Sequence, residues 1–141
     1  NKSYCNRFDK IIIEKKLHAN CKILGNLKKE ELKMMYHCSD IVVSAPLQPE
    51  GFGRTISESL AMKKIVLAYN YGGVKDQLEL LDNIYKVQNT NTEQMISKII
   101  KVLDLDKEKL INLGNKARKH IIGNFSKNKM QNSYLNFYQD L

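Results

Sequence analysis

The stretch Pro49-Glu50-Gly51-Phe52-Gly53-Arg54-Thr55-Ile56-Ser57-Glu58 decides how this chain is read. The run before it, Ile41-Val42-Val43, is short and β-branched, as suits a buried strand, and Ser57 to Met62 behind it are good helix formers. The order is therefore strand, glycine loop, helix. Gly51 and Gly53 carry no Cβ, so backbone N–H groups there can approach a ligand closely, and the helix start adds unpaired donors and the positive end of a dipole. Such a loop suits an anion, most often phosphate. Glu50 in the loop and Glu58 about a turn into the helix place carboxylates, which accept hydrogen bonds from hydroxyls, on both sides of it. Phosphate together with hydroxyls points to a nucleotide sugar.

Plainer readings compete at each of these positions. Thr55-Ile56-Ser57-Glu58 fits the capping box, in which Glu58 only satisfies a backbone donor. Glu50, next to Pro49, also suits an ordinary turn. Arg54 is placed to reach a phosphate or to pair with an acidic neighbour.

Working outward, Ile65-Val66-Leu67-Ala68 reads as a second apolar strand ending in Asn70-Tyr71-Gly72-Gly73, with a short helix through Leu78 and Leu81. Gly72-Gly73 is either a second ligand loop or a tight strand-to-helix turn. A weaker strand at Ile84-Tyr85-Lys86-Val87 precedes a helix striped with Met95, Ile96, Ile99, Ile100 and Leu103. The rest is helical, Leu110 to Ile122, then, after Ser126 as cap, a helix carrying Met130, Tyr134, Phe137, Tyr138 and Leu141. Toward the amino end, Tyr4, Phe8, Ile11 and Ile12 recur at helical spacing up to Lys15-Lys16. Cys21-Lys22-Ile23-Leu24-Gly25 reads as a strand, and Leu27 to Cys38 as an amphipathic helix with Leu32, Met35 and Tyr36 inward. Alternating strands and helices predict an α/β fold, a parallel sheet with helices on both faces. Ligands of such sheets bind beyond the carboxyl ends of the strands, where Glu50 to Gly53 and Gly72-Gly73 would line one crevice.

The 141 residues suffice for one domain with a real core, and the 43% hydrophobic content argues against disorder. A net charge of +8, from 23 basic and 15 acidic side chains, is spread over the polar faces. It would favour phosphate ligands or an anionic membrane surface, and no nucleic-acid motif accompanies it. Cys5, Cys21 and Cys38 are widely spaced and odd in number, which excludes a disulfide framework or a CxxC metal pair and suggests buried thiols. His18, His37 and His120 show no metal or catalytic spacing, so surface or half-buried positions are expected. No apolar stretch approaches the roughly 18 residues of a membrane span, and the first residues lack the apolar core of a signal peptide. A cytoplasmic protein, compatible with the inner face of the plasma membrane, is expected.

Pro-Glu-Gly-Phe-Gly at 49–53, Glu58, Ala61-Met62, the following strand and Gly72-Gly73 together resemble the donor-binding half of retaining GT-B glycosyltransferases, in particular glycosyltransferase family 4, also called group 1. Leu24-Gly25, Tyr36-His37-Cys38-Ser39-Asp40 and Phe125-Ser126 fall in the family's order, so the resemblance covers most of the chain. It implies a Rossmann-like, GT-B C-terminal domain over 1–141, truncated at its amino end. The family's first strand, with its basic Arg and Lys pair, and its acceptor domain lie outside this sequence. By the same resemblance Glu50 acts at the donor sugar, Glu58 grips the ribose, and Gly51, Phe52 and Gly53 offer backbone donors to the sugar and diphosphate; Arg54, Gly72 and Gly73, from their positions, are further candidates for those contacts. It further implies hexose transfer with retention from a UDP- or GDP-sugar without metal or other cofactor, to a glycan or lipid-linked acceptor. Family frequency adds a role in bacterial envelope polysaccharide or lipopolysaccharide synthesis. The expected partners are the nucleotide sugar and an N-terminal acceptor domain, in cis or in trans. Lys63 stands where the family has glycine at the helix end, a position that a left-handed cap would fit at modest cost, and Asp76 replaces a glutamate after the glycine pair. Two further hypotheses remain: a noncatalytic or split-gene fragment inactive alone, and a basic nucleic-acid-binding α/β domain, whose affinity would fall steeply with salt.

Overall fold

The structure, a computed structural model, describes residues 2–139, with side chains from residue 6 onward. The side chains of Tyr4 and Cys5, and Leu141, lie outside the described residues. The chain divides into two compact units, one up to Leu32 and one from Lys33 onward. In the first, α1 (Lys2–Glu14) ends at Lys16, whose φ of 54° lets Leu17 N–H reach back to Ile12 O at 2.8 Å. This Schellman closure ends the helix near Lys15-Lys16, where the sequence placed its end. Phe8 and Ile11 of the expected apolar stripe are exposed. Residues Cys21–Gly25 are not a strand: no ladder bond forms there, and Ile23 and Leu24 are exposed. An extended apolar run becomes a strand only when a neighbour takes its backbone groups, and none of the described strands pairs with it. Cys21 is exposed as well.

From Lys29 to Cys38 the chain forms α2, of which Tyr36 alone is fully buried. Met35 and Cys38 face out, contrary to the inward Met35 and the buried thiol expected from sequence. The second unit is built on three parallel strands in the order β1 (Ile41–Ser44), β2 (Ile65–Tyr69), β3 (Lys86–Val87). Ile41 pairs with Ile65 and Ala68 with Lys86. All five residues of β2 are buried although successive side chains point to opposite faces, so both faces of the sheet are covered there. The expected strand from Ile84 is shorter. Asp82 caps a 3₁₀ turn over Asn83–Tyr85, accepting from Ile84 N–H at 3.0 Å, and only Lys86 and Val87 pair.

Helix α3 (Arg54–Ala61) connects β1 to β2, and α4 (Gly73–Leu78) leads from β2 toward β3. They are followed by α5 (Thr92–Leu103), α6 (Lys107–Phe125) and α7 (Lys127–Gln139). The core joins Ile56 and Leu60 of α3, all of β2, Val74 and Leu78 of α4, Met95 and Val102 of α5, and Leu113, Ala117 and Ile121 of α6. Each such fully buried aliphatic side chain contributes about 1.5–3 kcal/mol by leaving water. On α5 the inward face is Met95, Ile99 and Val102, while Ile96, Ile100 and Leu103 are exposed. Helix α7 is capped by Ser126, which accepts from Lys129 N–H at 3.3 Å, and Met130, Tyr134, Phe137 and Tyr138 are all exposed.

The end of α3 is the tightest helix contact. Lys63 is left-handed, φ 63°, and Lys64 N–H reaches Ser59 O at 3.0 Å while Lys63 N–H reaches Leu60 O at 3.0 Å. That is the cap demanded where lysine replaces the family's glycine. The Lys63 carbonyl then sits against Gly114 of α6, where an added Cβ would lie 2.4 Å from it. Arg118 of α6 donates to the Ala61 carbonyl at the same crossing. Two substitutions should therefore act with opposite sign. Gly114→Ala forces α3 and α6 apart and should cost about 1–3 kcal/mol. Lys63→Gly relieves about 1–2 kcal/mol of left-handed strain, less the roughly 0.4–1 kcal/mol of added freedom in the unfolded chain, and should stabilise modestly. Urea denaturation of both variants checks the signs.

Candidate active site

Because β1 and β2 are parallel neighbours, paired Ser44 to Ala68 at their carboxyl ends, the segments that follow them leave the same edge of the sheet. The loop to α3 and the loop to α4 meet there. Gly73 N–H donates to Glu50 O at 3.0 Å, tying one loop to the other through backbone alone. A Cβ on Gly73 would lie 2.0 Å from Gly51 O, and one on Gly72 2.8 Å from Glu50 O. Gly72 also has φ 58°, ψ −152°, a conformation open to glycine and little else. The two glycine loops thus form one crevice, as sequence reasoning placed them.

Gly53 is the N-cap of α3, left-handed at φ 75°, and no side chain caps the helix. Among the described residues the first-turn N–H groups therefore keep no side-chain acceptor, and the positive end of the helix faces the loop. The Glu50 carboxylate turns back over this point: its Oε2 would lie 3.1 Å from a Cβ on Gly53. Glu50 takes part in no ion pair among the described residues. It is close enough to Tyr71 that, after burial, its charge is the next cause raising the Tyr71 hydroxyl above its ordinary value. Tyr71 stays protonated and donates to the Pro46 carbonyl, which steadies the segment leading into Pro49.

The capping box is not formed. Thr55 lies inside α3 rather than at its cap, and the cap makes no side-chain hydrogen bond. Its carboxylate receives Arg54 Nη2 at 2.9 Å and the Tyr36 hydroxyl at 3.3 Å. Burial, opposed by a bond to Thr55 and reinforced by the Glu58 charge, raises Tyr36, so this hydroxyl is a donor at neutral pH. Arg54 stands at the first helical position with its side chain 83% exposed, and its guanidinium is engaged by Glu58. Glu58 itself is 34% exposed, oriented yet open to a ligand. Phe52 is exposed on one side and meets Phe125 at a ring separation of 6.2 Å on the other.

Two residues near the crevice escaped sequence reasoning. Gln77 of α4 is 0% exposed; its Nε2 donates to the Phe52 carbonyl and its Oε1 has no partner. A buried, unpartnered amide oxygen costs about 1–3 kcal/mol. His120 of α6, half-buried, holds the Gln77 backbone carbonyl through Nε2 at 2.8 Å. The signal for Gln77 was a polar residue at an inward position between Val74 and Leu78; His120 showed only as an unassigned histidine. His18 and His37 are exposed and Asp76 faces solvent. A separate cleft of about 380 Å³, lined by Asp40, Lys63, Lys64 and Lys107, lies at the amino ends of β1 and β2, opposite the crevice. Among the described residues no cluster of three His, Cys, Asp or Glu could hold a metal, and no helix is long and apolar enough to cross a membrane.

The fold is shared with known proteins. A glycosyltransferase from Rickettsia africae superposes with TM-score 0.89 at 34% identity, over 99% of this chain and 37% of that one. Anabaena Alr3699/HepE, solved with UDP and glucose, gives 0.87 at 20% identity over 99% of this chain and 37% of its own. Staphylococcus aureus TarM, solved with fondaparinux, α-GlcNAc-glycerol and UDP, gives 0.78 at 26% over 93% and 26%. The chain thus spans about a third of the length of these structures or less. A search of functionally curated proteins returns no significant match. The family described as glycosyl transferases group 1 is matched over residues 1–120, nearly the whole chain, and to that family the chain belongs.

Proposed function

We propose that the chain is the donor-binding, C-terminal half of a retaining GT-B glycosyltransferase of family 4, and that its crevice binds a nucleoside diphosphate sugar. The observation carrying this is the start of α3: an uncapped helix N-terminus on a left-handed glycine, overlain by Glu50 and apposed to Gly72-Gly73. Uncapped N–H groups and a helix dipole bind a diphosphate and stabilise the charge that develops on it as the sugar departs. Gly51, Phe52 and Gly53 offer backbone, Gly72 and Gly73 close the opposite wall, and Glu50 acts at the donor sugar. Glu58, oriented by Tyr36, takes the ribose hydroxyls; Arg54 balances its charge and stands beside the diphosphate. UDP in the solved Anabaena and Staphylococcus relatives supports a nucleotide donor.

The transferred group is a hexose, the acceptor a glycan or lipid-linked glycan of the bacterial envelope, and no metal takes part. The acceptor is bound by an N-terminal domain, in cis or in trans, so this chain alone should not turn over. The cytoplasmic face of the membrane suits a chain of net charge +8.

Calorimetric titration of the full-length protein with UDP and GDP should show saturable binding of at least one, unaffected by EDTA. Glu58→Ala should weaken it by about 10–100-fold, the loss of a hydrogen bond to a charged group. No binding of either nucleotide would overturn the reading. Glu50→Gln should leave UDP affinity within about twofold while lowering sugar transfer by about 100-fold or more, as for a group acting mainly in the transition state. Transfer kinetics of that variant at saturating UDP-sugar provide the measurement.

A further inference from the structure

We propose that Gln77, backed by His120 and Phe125, is a positioning residue that sets the Gly51-Phe52-Gly53 loop for the ligand, an inference that rests on the donor-site reading above. Phe52 is held twice. Its carbonyl accepts from Gln77 Nε2, and its ring packs against Phe125, which itself meets the His120 ring at 5.6 Å. His120 Nε2 lies 2.8 Å from the Gln77 carbonyl, which can only accept, so the proton sits on Nε2. Nδ1 is then left to accept from Asn124 Nδ2 at 3.1 Å, and Asn124 Nδ2 also reaches the His120 carbonyl at 3.0 Å. The loop, α4 and the end of α6 thereby close into one hydrogen-bonded and aromatic circuit directly behind the crevice.

The choice of glutamine is what stability does not explain. Gln77 lies between the fully buried Val74 and Leu78, where an apolar side chain would fit the core, yet it leaves Oε1 buried without a partner. A polar group kept at a cost in stability, with its one bond aimed at the ligand loop, belongs to the site rather than to the core. The bond fixes the peptide between Phe52 and Gly53, and with it the direction of the Gly53 N–H at the head of α3. Misdirecting that donor would weaken a diphosphate contact without altering any residue that touches the ligand.

Gln77→Met keeps the length of the side chain and removes the amide. In the full-length protein it should preserve or raise the melting temperature, speed hydrogen exchange of the amides at 51–55, and raise the Kd for UDP about tenfold, the scale of losing a supporting contact. Gln77→Asn, too short to reach the Phe52 carbonyl, should match it in exchange and affinity. Unchanged exchange in Gln77→Met overturns the proposal whether or not a nucleotide binds. Faster exchange with unchanged UDP affinity, in a protein where Glu58→Ala does weaken UDP, overturns the positioning role and leaves the donor site standing. If wild type binds neither UDP nor GDP, the donor-site reading fails, and the role for ligand binding that rests on it falls too.

Discussion

The structure of the crevice depends on one backbone contact, Gly73 against the 50–52 peptide. Gly73 N–H bonds to Glu50 O, and the space a Cβ would need at Gly73 is filled by Gly51 O. A single methyl there would have to displace main chain, which a flexible neighbour could absorb but a loop pinned at both ends cannot. The contact exists because β1 and β2 are parallel and adjacent, so that their following loops leave at one edge. It in turn places α3 and α4 side by side, with Val74 within 2.8 Å of where a Gly53 Cβ would sit. Gly53 must therefore lack a side chain twice over, for its left-handed φ and for Val74. The two loops behave as one unit, and the direction of the α3 donors follows from it.

What the sequence made legible was whatever depends on local chemistry. The strand-loop-helix order around Gly51 and Gly53 needs only β-branched residues, glycines and helix formers in succession, and it is found as read. Lys63, standing where the resemblance places a glycine, suggests a left-handed cap, and that is its conformation. Readings that depend on a partner fared worse. Ile23 and Leu24 have the composition of a strand but none of the described strands pairs with them, and composition cannot report the neighbour. On α5, five apolar residues fit one stripe, but the sheet accepts only the sector of Met95, Ile99 and Val102, since helix rotation is set by what it packs on.

At the site, the same division holds. Thr55-Ile56-Ser57-Glu58 satisfied the capping-box pattern, but that pattern assumes the helix begins at Thr55, and the left-handed Gly53 starts it earlier. With the cap displaced by two residues, the Glu58 carboxylate meets the side chains of Tyr36 and Arg54 instead of a backbone donor of the cap. The placing of Glu50 near Gly72-Gly73 was legible because parallel topology dictates it. Gln77 was not, because a lone glutamine in a helix carries no information about the carbonyl it will meet.

The costs of the fold are distributed unevenly, and the distribution argues for where function lies. Among the described residues, two of the three buried side-chain polar atoms without partners, Asn70 Oδ1 and Gln77 Oε1, belong to residues following the carboxyl end of β2, as do the unusual dihedrals of Gly72; Gly53 is at the matching end of β1. At the amino ends the equivalent irregularity, Lys63, is compensated: its cap bonds are made, Arg118 holds Ala61 O and Lys64 Nζ reaches His37 O at 2.7 Å. Packing alone would not produce this asymmetry, since nothing about a parallel sheet makes one end harder to satisfy. An end that keeps unpaired donors, a left-handed glycine cap and orphaned amide oxygens, while the backbone groups around Lys63 at its counterpart are satisfied, supports the proposed site at the carboxyl ends.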